Sequence, residues 1–174
     1  MGLVEQSEAN NVHLQDGEHI IVRLTYISRY NEDNENGEVT RILAQAQKNN
    51  ERNGITGALI FNHNYFLQSI EGSRPIINGL LRKLIKDTRH SSLQVVECCD
   101  ITERQWSQWS MNYLIPSDDN KGLALKYSTG TQFNPYLMSS KQVMMFIDAL
   151  SALQAQEQQQ KALAAKKKSW FSIG

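Results

Sequence analysis

The strongest constraint on the fold of this chain is a hairpin pattern that lies between two helical patterns. Residues 55–61 and 65–71 are both rich in apolar and β-branched residues, and the polar triplet Asn62-His63-Asn64 separates them. Two strand-like runs joined by so short a polar turn predict an antiparallel hairpin. Because a helical stripe precedes the hairpin at residues 39–46 and another follows it at residues 76–85, the hairpin forms the centre of an α+β unit.

The flanking segments extend this pattern on both sides. Residues 20–26 and 93–99 alternate as strands do, and residues 109–114 indicate a last strand. Residues 102–105 have the spacing of a capping box, which predicts a short helical turn. The order β-α-β-β-α-β-β predicts a ferredoxin-like α+β sandwich, in which two helices cover one face of a mixed five-stranded sheet.

The same pattern divides the chain into four parts. We expect a flexible, polar N-terminal segment at 1–18, one folded domain at 19–115, an irregular connection at 116–139, and a C-terminal helix and tail at 140–174. An apolar stripe runs along this last helix from Val143 to Leu153. It needs a surface to cover, which is either the sheet of the same chain or a second copy.

Charge and cysteine content exclude several classes of partner. The chain has 18 basic and 18 acidic side chains, so we expect neither nucleic acid nor a membrane as a partner. Cys98 and Cys99 are adjacent in a predicted strand, which gives neither metal-ligand spacing nor a disulfide framework. No apolar run approaches the roughly 18 residues of a membrane span, and residues 1–18 do not resemble a signal peptide, so we expect a cytoplasmic location.

Four polar side chains occupy positions where the pattern predicts core: Tyr26, Asn49, Asn50 and Gln68. A buried amide without partners costs roughly 1–3 kcal/mol, so several of them on one side of a sheet need a shared partner or an internal network. A planar heterocycle with carbonyls and ring nitrogens would satisfy them together. Alternatively, each is a satisfied structural polar group or an exposed position.

Five segments of this chain resemble, in order and spacing, the motifs of the BLUF family (blue light using flavin). The resemblance covers about residues 20–114 and implies a blue-light photoreceptor that holds a flavin non-covalently. The segments are Arg23-Leu24-Thr25-Tyr26-Ile27-Ser28, Asn49-Asn50 with Asn53-Gly54-Ile55-Thr56-Gly57-Ala58-Leu59, Phe66-Leu67-Gln68-Ser69-Ile70-Glu71-Gly72, Asp87-Thr88-Arg89-His90 and Trp109-Ser110-Met111.

The resemblance implies roles for the polar residues. Tyr26 matches the tyrosine that gives an electron and then a proton to the excited flavin, and Gln68 matches the glutamine between that phenol and the flavin N5/O4 edge. Asn50 matches the asparagine at the N3–H and C4 carbonyl edge. Asn49, Arg89 and His90 resemble positions near the C2 carbonyl or the ribityl chain, although Arg89 and His90 would also suit a solvated loop that caps the second helix.

The resemblance also implies roles for apolar residues, which core packing explains equally well. Ile42 and Leu84 lie on the inward stripes of the two helices and would sandwich the flavin ring. Trp109 and Met111 match the tryptophan and methionine of the last strand that exchange places near the glutamine. The chain departs from some members at Ala46, often serine, and at Asn49, sometimes histidine, which leaves the photocycle rate open but not flavin binding.

The function implied by the resemblance is a light-driven hydrogen-bond switch without enzyme activity. FAD is the expected cofactor, with FMN and riboflavin as alternatives. We expect the signal to pass through the last strand and the C-terminal helix to an unknown downstream protein or to a homo-oligomer. Two alternatives remain: a light-insensitive flavin-binding or protein-interaction module on the same fold, and a hydrolase resembling acylphosphatase, for which no phosphate-binding loop is apparent.

Overall fold

The computed structural model describes residues 17–31, 38–106, 111–114, 121–130 and 132–171, with the side chains of 38–43, 111–114, 121, 124 and 166–171 excepted. Five strands and four α-helices follow one another along these residues. They are β1 (Ile21–Tyr30), α1 (Glu38–Arg52), β2 (Thr56–Phe61), β3 (Tyr65–Ser73), α2 (Arg74–Ile85), β4 (His90–Ile101), β5 (Met111–Leu114), α3 (Lys121–Tyr127), a 3₁₀ turn (Pro135–Leu137) and α4 (Ser140–Phe171).

The sheet has the strand order β4-β1-β3-β2-β5. The first four strands in this order pair antiparallel, and β5 is parallel to β2. Because β3 lies between β1 and β2, helix α1 connects two strands that are not neighbours in the sheet. The α+β class predicted from the sequence is therefore confirmed, and the hairpin β2–β3 lies next to β1 through β3.

Apolar residues cover both faces of the sheet. The face toward α2, called here the α2 face, has a buried core of Val22, Leu24, Ile55, Leu59, Ile70 and Ile77. The opposite face, called here the α4 face, has a larger core built from the strands and the C-terminal elements. Its members include Ile27, Ile60, Leu67, Trp106, Phe133, Val143, Phe146, Ile147 and Leu150. Both faces are thus buried, and the strands β1 and β3 contribute alternate residues to each.

Glycine is required where β2 approaches β3. A Cβ atom on Gly57 would lie 2.2 Å from the carbonyl oxygen of Ser69, a distance that side chains do not tolerate. Gly57 pairs with Ile70 of β3 on one side and with Met111 of β5 on the other. The close approach therefore fixes the middle of β3, where Gln68 and Ser69 lie, against the hairpin.

The C-terminal elements are better ordered than the sequence indicated. The expectation of an irregular connection at 116–139 is wrong for part of that range, because α3 and the 3₁₀ turn lie within it. Tyr127 of α3 packs edge-on against Phe146 of α4 with ring centroids 6.3 Å apart, and Phe133 stacks on Phe146 at 5.4 Å. Tertiary packing therefore stabilises a helix that is too short to be stable alone.

The apolar stripe of α4 packs onto the sheet of its own chain. Val143, Ile147 and Leu150 are each almost fully buried in the α4-face core, whereas residues 155–165 of the same helix are exposed. Of the two surfaces proposed for this stripe, the structure selects the sheet. None of the described helices combines the length and the apolar character that crossing a membrane requires.

The helical turn predicted at residues 102–105 is also wrong. This segment runs as bends, and its backbone binds a carboxylate on the sheet. The backbone N–H groups of Gln105 and Trp106 donate to the buried Glu71 side chain. Long-range hydrogen bonds to Glu71 take the place of the local capping bonds that the spacing predicted.

Candidate functional site

Tyr26 and Gln68 form a buried hydrogen-bonded pair on the α2 face. They are direct partners in the β1–β3 ladder, and cross-strand partners place their side chains on the same face. The side chains are nearly inaccessible, with 4% and 8% of the residue surface exposed. The Tyr26 hydroxyl donates to Gln68 Oε1. Two of the four polar residues predicted to face the core are thus confirmed as buried and in contact.

The surroundings keep the Tyr26 phenol protonated. Burial is the main cause that raises the pKa of Tyr26 far above its ordinary value, and the nearby Asp87 carboxylate raises the pKa further. Both effects disfavour a phenolate in this position. Tyr26 therefore keeps its proton over the physiological range, and any electron that leaves the ring is best followed by that proton.

His90 packs against the same tyrosine. Its ring centroid lies 6.5 Å from that of Tyr26 and 6.4 Å from that of Phe66. Burial lowers the pKa of His90 and the cationic Arg89 lowers it further, whereas Asp87 opposes both effects. The imidazole is consequently neutral at pH 7. Its Nδ1 atom is buried and has no hydrogen-bond partner among the described residues.

A second polar atom on this face also lacks a partner among the described residues. Ser28 lies two residues after Tyr26, so its side chain points to the same face, and its Oγ atom is buried and without a hydrogen bond. Buried polar atoms normally find partners. The Ser28 and His90 atoms, together with the Tyr26–Gln68 pair, thus suit a bound heterocycle that offers donors and acceptors, which is the chemistry of a flavin ring.

The two asparagines near the end of α1 have different surroundings. Asn50 is buried, and its carbonyl accepts from the backbone N–H of Ile55, which brings β2 back beside the helix. Asn49 is exposed, and its Oδ1 accepts from Gln45. The expectation that Asn49 faces the core is therefore wrong, because consecutive residues of a helix lie about 100° apart. Its role toward a flavin stays a prediction.

The remaining predicted contacts are only partly described. Leu84 is partly buried near the end of α2, whereas the side chain of Ile42 lies outside the described residues. Arg89 is exposed, and its Nε atom donates to the Asp87 carboxylate at 2.8 and 3.0 Å. This ion pair lowers the pKa of Asp87. The flavin roles of these residues stay predictions.

Trp109 and Met111, the two residues predicted to lie on the last strand near Gln68, have no described side chains. Trp109 lies outside the described residues. Met111 begins β5 opposite Gly57, and its side chain lies outside the described part of the chain. The expected exchange of these two residues near Gln68 therefore stays a prediction.

The α4 face carries polar pairs that the sequence did not predict as buried. Thr25 and Ser69 are the chain neighbours of Tyr26 and Gln68, and they also face each other across β1 and β3, with their hydroxyl oxygens 3.0 Å apart. The Thr25 hydroxyl donates to Met144 Sδ of α4 at 3.6 Å. Alternation along β1 and β3 places these residues on the face opposite Tyr26 and Gln68, and α4 covers that face.

Comparison with protein families identifies this arrangement. Residues 21–112 match the model of the family described as BLUF, sensors of blue light using FAD. The matched residues comprise all five strands except the end of β5, and helices α1 and α2 with Tyr26, Gln68 and His90.

Individual relatives agree with the family match. The photoactivated adenylate cyclase subunit beta of Euglena longa is 28% identical over 96 residues, which are 55% of this chain and 11% of that protein. The solved structure of the BlsA photo-activated state is 32% identical, with a TM-score of 0.67 over 75% of this chain and 94% of that one. The dark-state structure of the BLUF protein BlrB is also 32% identical, with a TM-score of 0.56 over 62% and 80% of the chains.

Proposed function

The chain belongs to the BLUF family of sensors of blue light using FAD, and on that basis we propose that it senses light through Tyr26 and Gln68. The observation that carries the proposal is their direct hydrogen bond inside the sheet. A phenol releases an electron and a proton together, and a glutamine amide offers both a donor and an acceptor end. The pair thus has the chemistry that a hydrogen-bond switch requires.

In the proposed mechanism, bound FAD supplies the chromophore, which absorbs blue light and accepts an electron while excited. Tyr26 loses an electron, and its hydroxyl proton moves toward the Gln68 side chain that already accepts its hydrogen bond. When both return, Tyr26 is restored and the Gln68 amide is left rotated or in its other tautomer, with new hydrogen bonds. The covalent structure of the resting chain is unchanged, so thermal reversal restores the dark state.

The neighbouring residues of the chain hold the chromophore in this proposal. Buried Asn50 and the His90 Nδ1 atom, which has no partner among the described residues, would hold the polar edges of the ring, and Ile42 and Leu84 would hold its two faces. Asn49 and Arg89 are exposed, so they would hold the ligand near the C2 carbonyl or the ribityl chain. Trp109 and Met111 transmit the change along the last strand.

The signal leaves through the C-terminal elements in this proposal. Helix α4 covers the face opposite Tyr26 and Gln68, and Met144 contacts Thr25, the residue next to Tyr26. We propose that the chain acts without enzyme activity of its own, through a downstream protein or a homo-oligomer. The chain spans about 11% of the photoactivated adenylate cyclase subunits that it matches, so their cyclase activity does not carry over. The two free cysteines suit a cytoplasmic location.

The test is the absorption spectrum of the purified protein with FAD, recorded in the dark and after blue light. A stronger hydrogen bond to the flavin carbonyl lowers the excitation energy, so we expect a small, reversible red shift. Gln68→Leu should bind FAD and lose the shift. Gln94→Leu, an exposed glutamine on β4, is the matched control and should keep it. A bound flavin with no shift in the wild type would favour the light-insensitive module instead.

A further inference from the structure

Strand β4 contains a bulge at Ser92 and Leu93, after His90 and Ser91. In the β1–β4 ladder Ile27 faces Gln94 and Arg29 faces Ser91, so Ser92 and Leu93 together oppose the single residue between those two positions of β1. Ser92 has a φ of 53°, which places it in the left-handed region, and among the described residues it is the only one other than glycine that adopts this conformation. A serine there is strained and needs support from its surroundings.

The support for Ser92 comes from a residue outside residues 21–112, the part of the chain that matches the family model. The hydroxyl of Tyr136, in the 3₁₀ turn, donates to the Ser92 carbonyl oxygen at 2.6 Å. Tyr136 is itself held in place: its backbone N–H donates to Asn134 Oδ1 at 3.1 Å, and the Arg29 guanidinium lies 4.9 Å from its ring centroid. Arg29 also lies 5.5 Å from the ring of Tyr65, so this cation is bounded by two aromatic rings.

Ser92 lies close in sequence to His90, a residue of the site on the other face of the sheet. Only Ser91 separates it from His90, and the bulge sets how the start of β4 approaches β1, where the His90 ring packs against Tyr26 and Phe66. We infer that Tyr136 is a positioning residue, whose bond to Ser92 holds the bulge and thereby sets the placement of His90 in the chromophore site. The claim that this site holds a chromophore rests on the proposed function, whereas the claim that Tyr136 sets the position of His90 rests on the geometry.

The first experiment removes only the hydroxyl, with Tyr136→Phe in the full chain without flavin. The phenylalanine ring keeps its contacts with Arg29 and Tyr65, whereas Ser92 loses its bond. We expect the His90 ring to become more exposed, so that its pKa, measured by NMR titration, rises toward the ordinary value. Asp87 and Arg89, the charged groups that act on His90, are unchanged in the variant.

The matched control is Tyr65→Phe. Tyr65 belongs to the same aromatic pair around Arg29, and its hydroxyl has no hydrogen-bond partner among the described residues. This variant should leave the His90 titration as in the wild type. If Tyr136→Phe also leaves it unchanged, or if both variants shift it equally, the inference is wrong.

A second variant tests the bulge itself. In Ser92→Gly, the glycine adopts a positive φ without strain. The bulge in this variant should therefore no longer depend on Tyr136. In this background Tyr136→Phe should have little effect on the His90 titration, whereas equal effects in both backgrounds would contradict the inference. The combination distinguishes a positioning role from a general loss of stability, because only positioning is rescued by glycine.

The affinity for FAD connects the inference to the site. Loss of one hydrogen bond that orders a binding group should weaken FAD binding roughly two- to tenfold in Tyr136→Phe and not in Tyr65→Phe. Unchanged affinity in Tyr136→Phe would confine its role to the protein without flavin and overturn the claim that it serves the site. If the wild type binds no FAD, the proposed function fails, while the titration of His90 still decides the positioning role.

Discussion

The two faces of the sheet are built from the same strands but differ in how their polar groups are satisfied. On the α4 face, Thr25 bonds Ser69 and Met144, and the buried Glu71 accepts from Arg23 and two backbone groups. On the α2 face, Tyr26 bonds Gln68, but Ser28 and His90 each present a buried polar atom without a partner among the described residues. Two further buried hydroxyls without partners among the described residues, those of Ser73 and Ser151, lie at the end of β3 and on α4. The middle of the α4 face is therefore closed, whereas the unpartnered atoms of the α2 face lie beside the Tyr26–Gln68 pair.

The comparison shows how strand alternation separates two tasks. Tyr26 and Gln68 each have a chain neighbour, Thr25 or Ser69, that points to the opposite face. The spacing of β1 and β3 is therefore set by contacts that need no ligand. Substitutions on the α4 face should consequently reduce stability, and substitutions on the α2 face should change binding and photochemistry with less effect on stability.

The largest stability effect should come from Glu71. Its side chain is fully buried and pairs with Arg23, with distances of 2.6 and 2.9 Å. Glu71→Leu leaves the partly buried Arg23 and two backbone N–H groups without their acceptor, which should cost about 3 kcal/mol in the free energy of unfolding measured with urea. Glu97→Leu, on strand β4, is the control and should cost much less. If both variants lose the same free energy of unfolding, the buried Glu71 on the α4 face stabilises the protein no more than Glu97 on the edge strand β4, and the distinction fails.

A smaller effect is expected from the hydroxyl pair. Ser69→Ala removes one partner of Thr25 in a fully buried position and should lower the free energy of unfolding by about 1 kcal/mol. The double variant Thr25→Val with Ser69→Ala removes both hydroxyls and should lose less than the sum of the two single variants. Additive losses in urea unfolding would show that the pair is not coupled.

His90 on the α2 face should make the stability of the protein depend on pH. The pKa of His90 lies below its unfolded value because of burial, so the unfolded chain binds the proton more tightly. Stability should therefore fall as the pH decreases from about 6.5 through the folded pKa of His90. His90→Phe should remove this component of the pH dependence. If unfolding curves of the variant and the wild type keep the same pH dependence between neutral and mildly acidic pH, His90 is not the cause.

The smallest effect is expected at Ser28. Ser28→Ala is the same chemical change as Ser69→Ala, in the neighbouring part of the same sheet, but it removes a hydroxyl that bonds no described residue. The free energy of unfolding should change by less than about 0.5 kcal/mol, or increase, because no hydrogen bond is lost. A loss as large as that of Ser69→Ala would show that Ser28 is satisfied in the protein without flavin.

The sequence predicted those parts of the molecule that local periodicity determines. Alternation placed Tyr26 and Gln68 inside, and helical spacing located α1, α2 and α4, as the structure confirms. The prediction that Asn49 faces the core was wrong because consecutive residues of a helix lie about 100° apart, so Asn49 and Asn50 do not both lie on the buried stripe. The side chains of Ile42, Trp109 and Met111 lie outside the described residues, and their site roles stay predictions.

What the sequence did not predict depends on contacts between distant segments. Helix α3 is short and is stabilised by the packing of Tyr127 on Phe146, which no local pattern indicates. Residues 102–105 have capping spacing, but Glu71 binds the backbone there instead. The bond from Tyr136 to Ser92 joins residues 44 positions apart. Such contacts become visible only when the order of strands and the covering of each face are known.

The most direct test of the central claim is the light-minus-dark absorption spectrum of Tyr26→Phe with FAD bound, measured beside the wild type at equal flavin occupancy. The phenylalanine ring keeps the shape of the core but cannot donate to Gln68 or supply a proton. Our account predicts that the variant binds FAD and shows no reversible red shift. A shift of the same size as in the wild type would contradict the claim that the Tyr26–Gln68 pair is the switch.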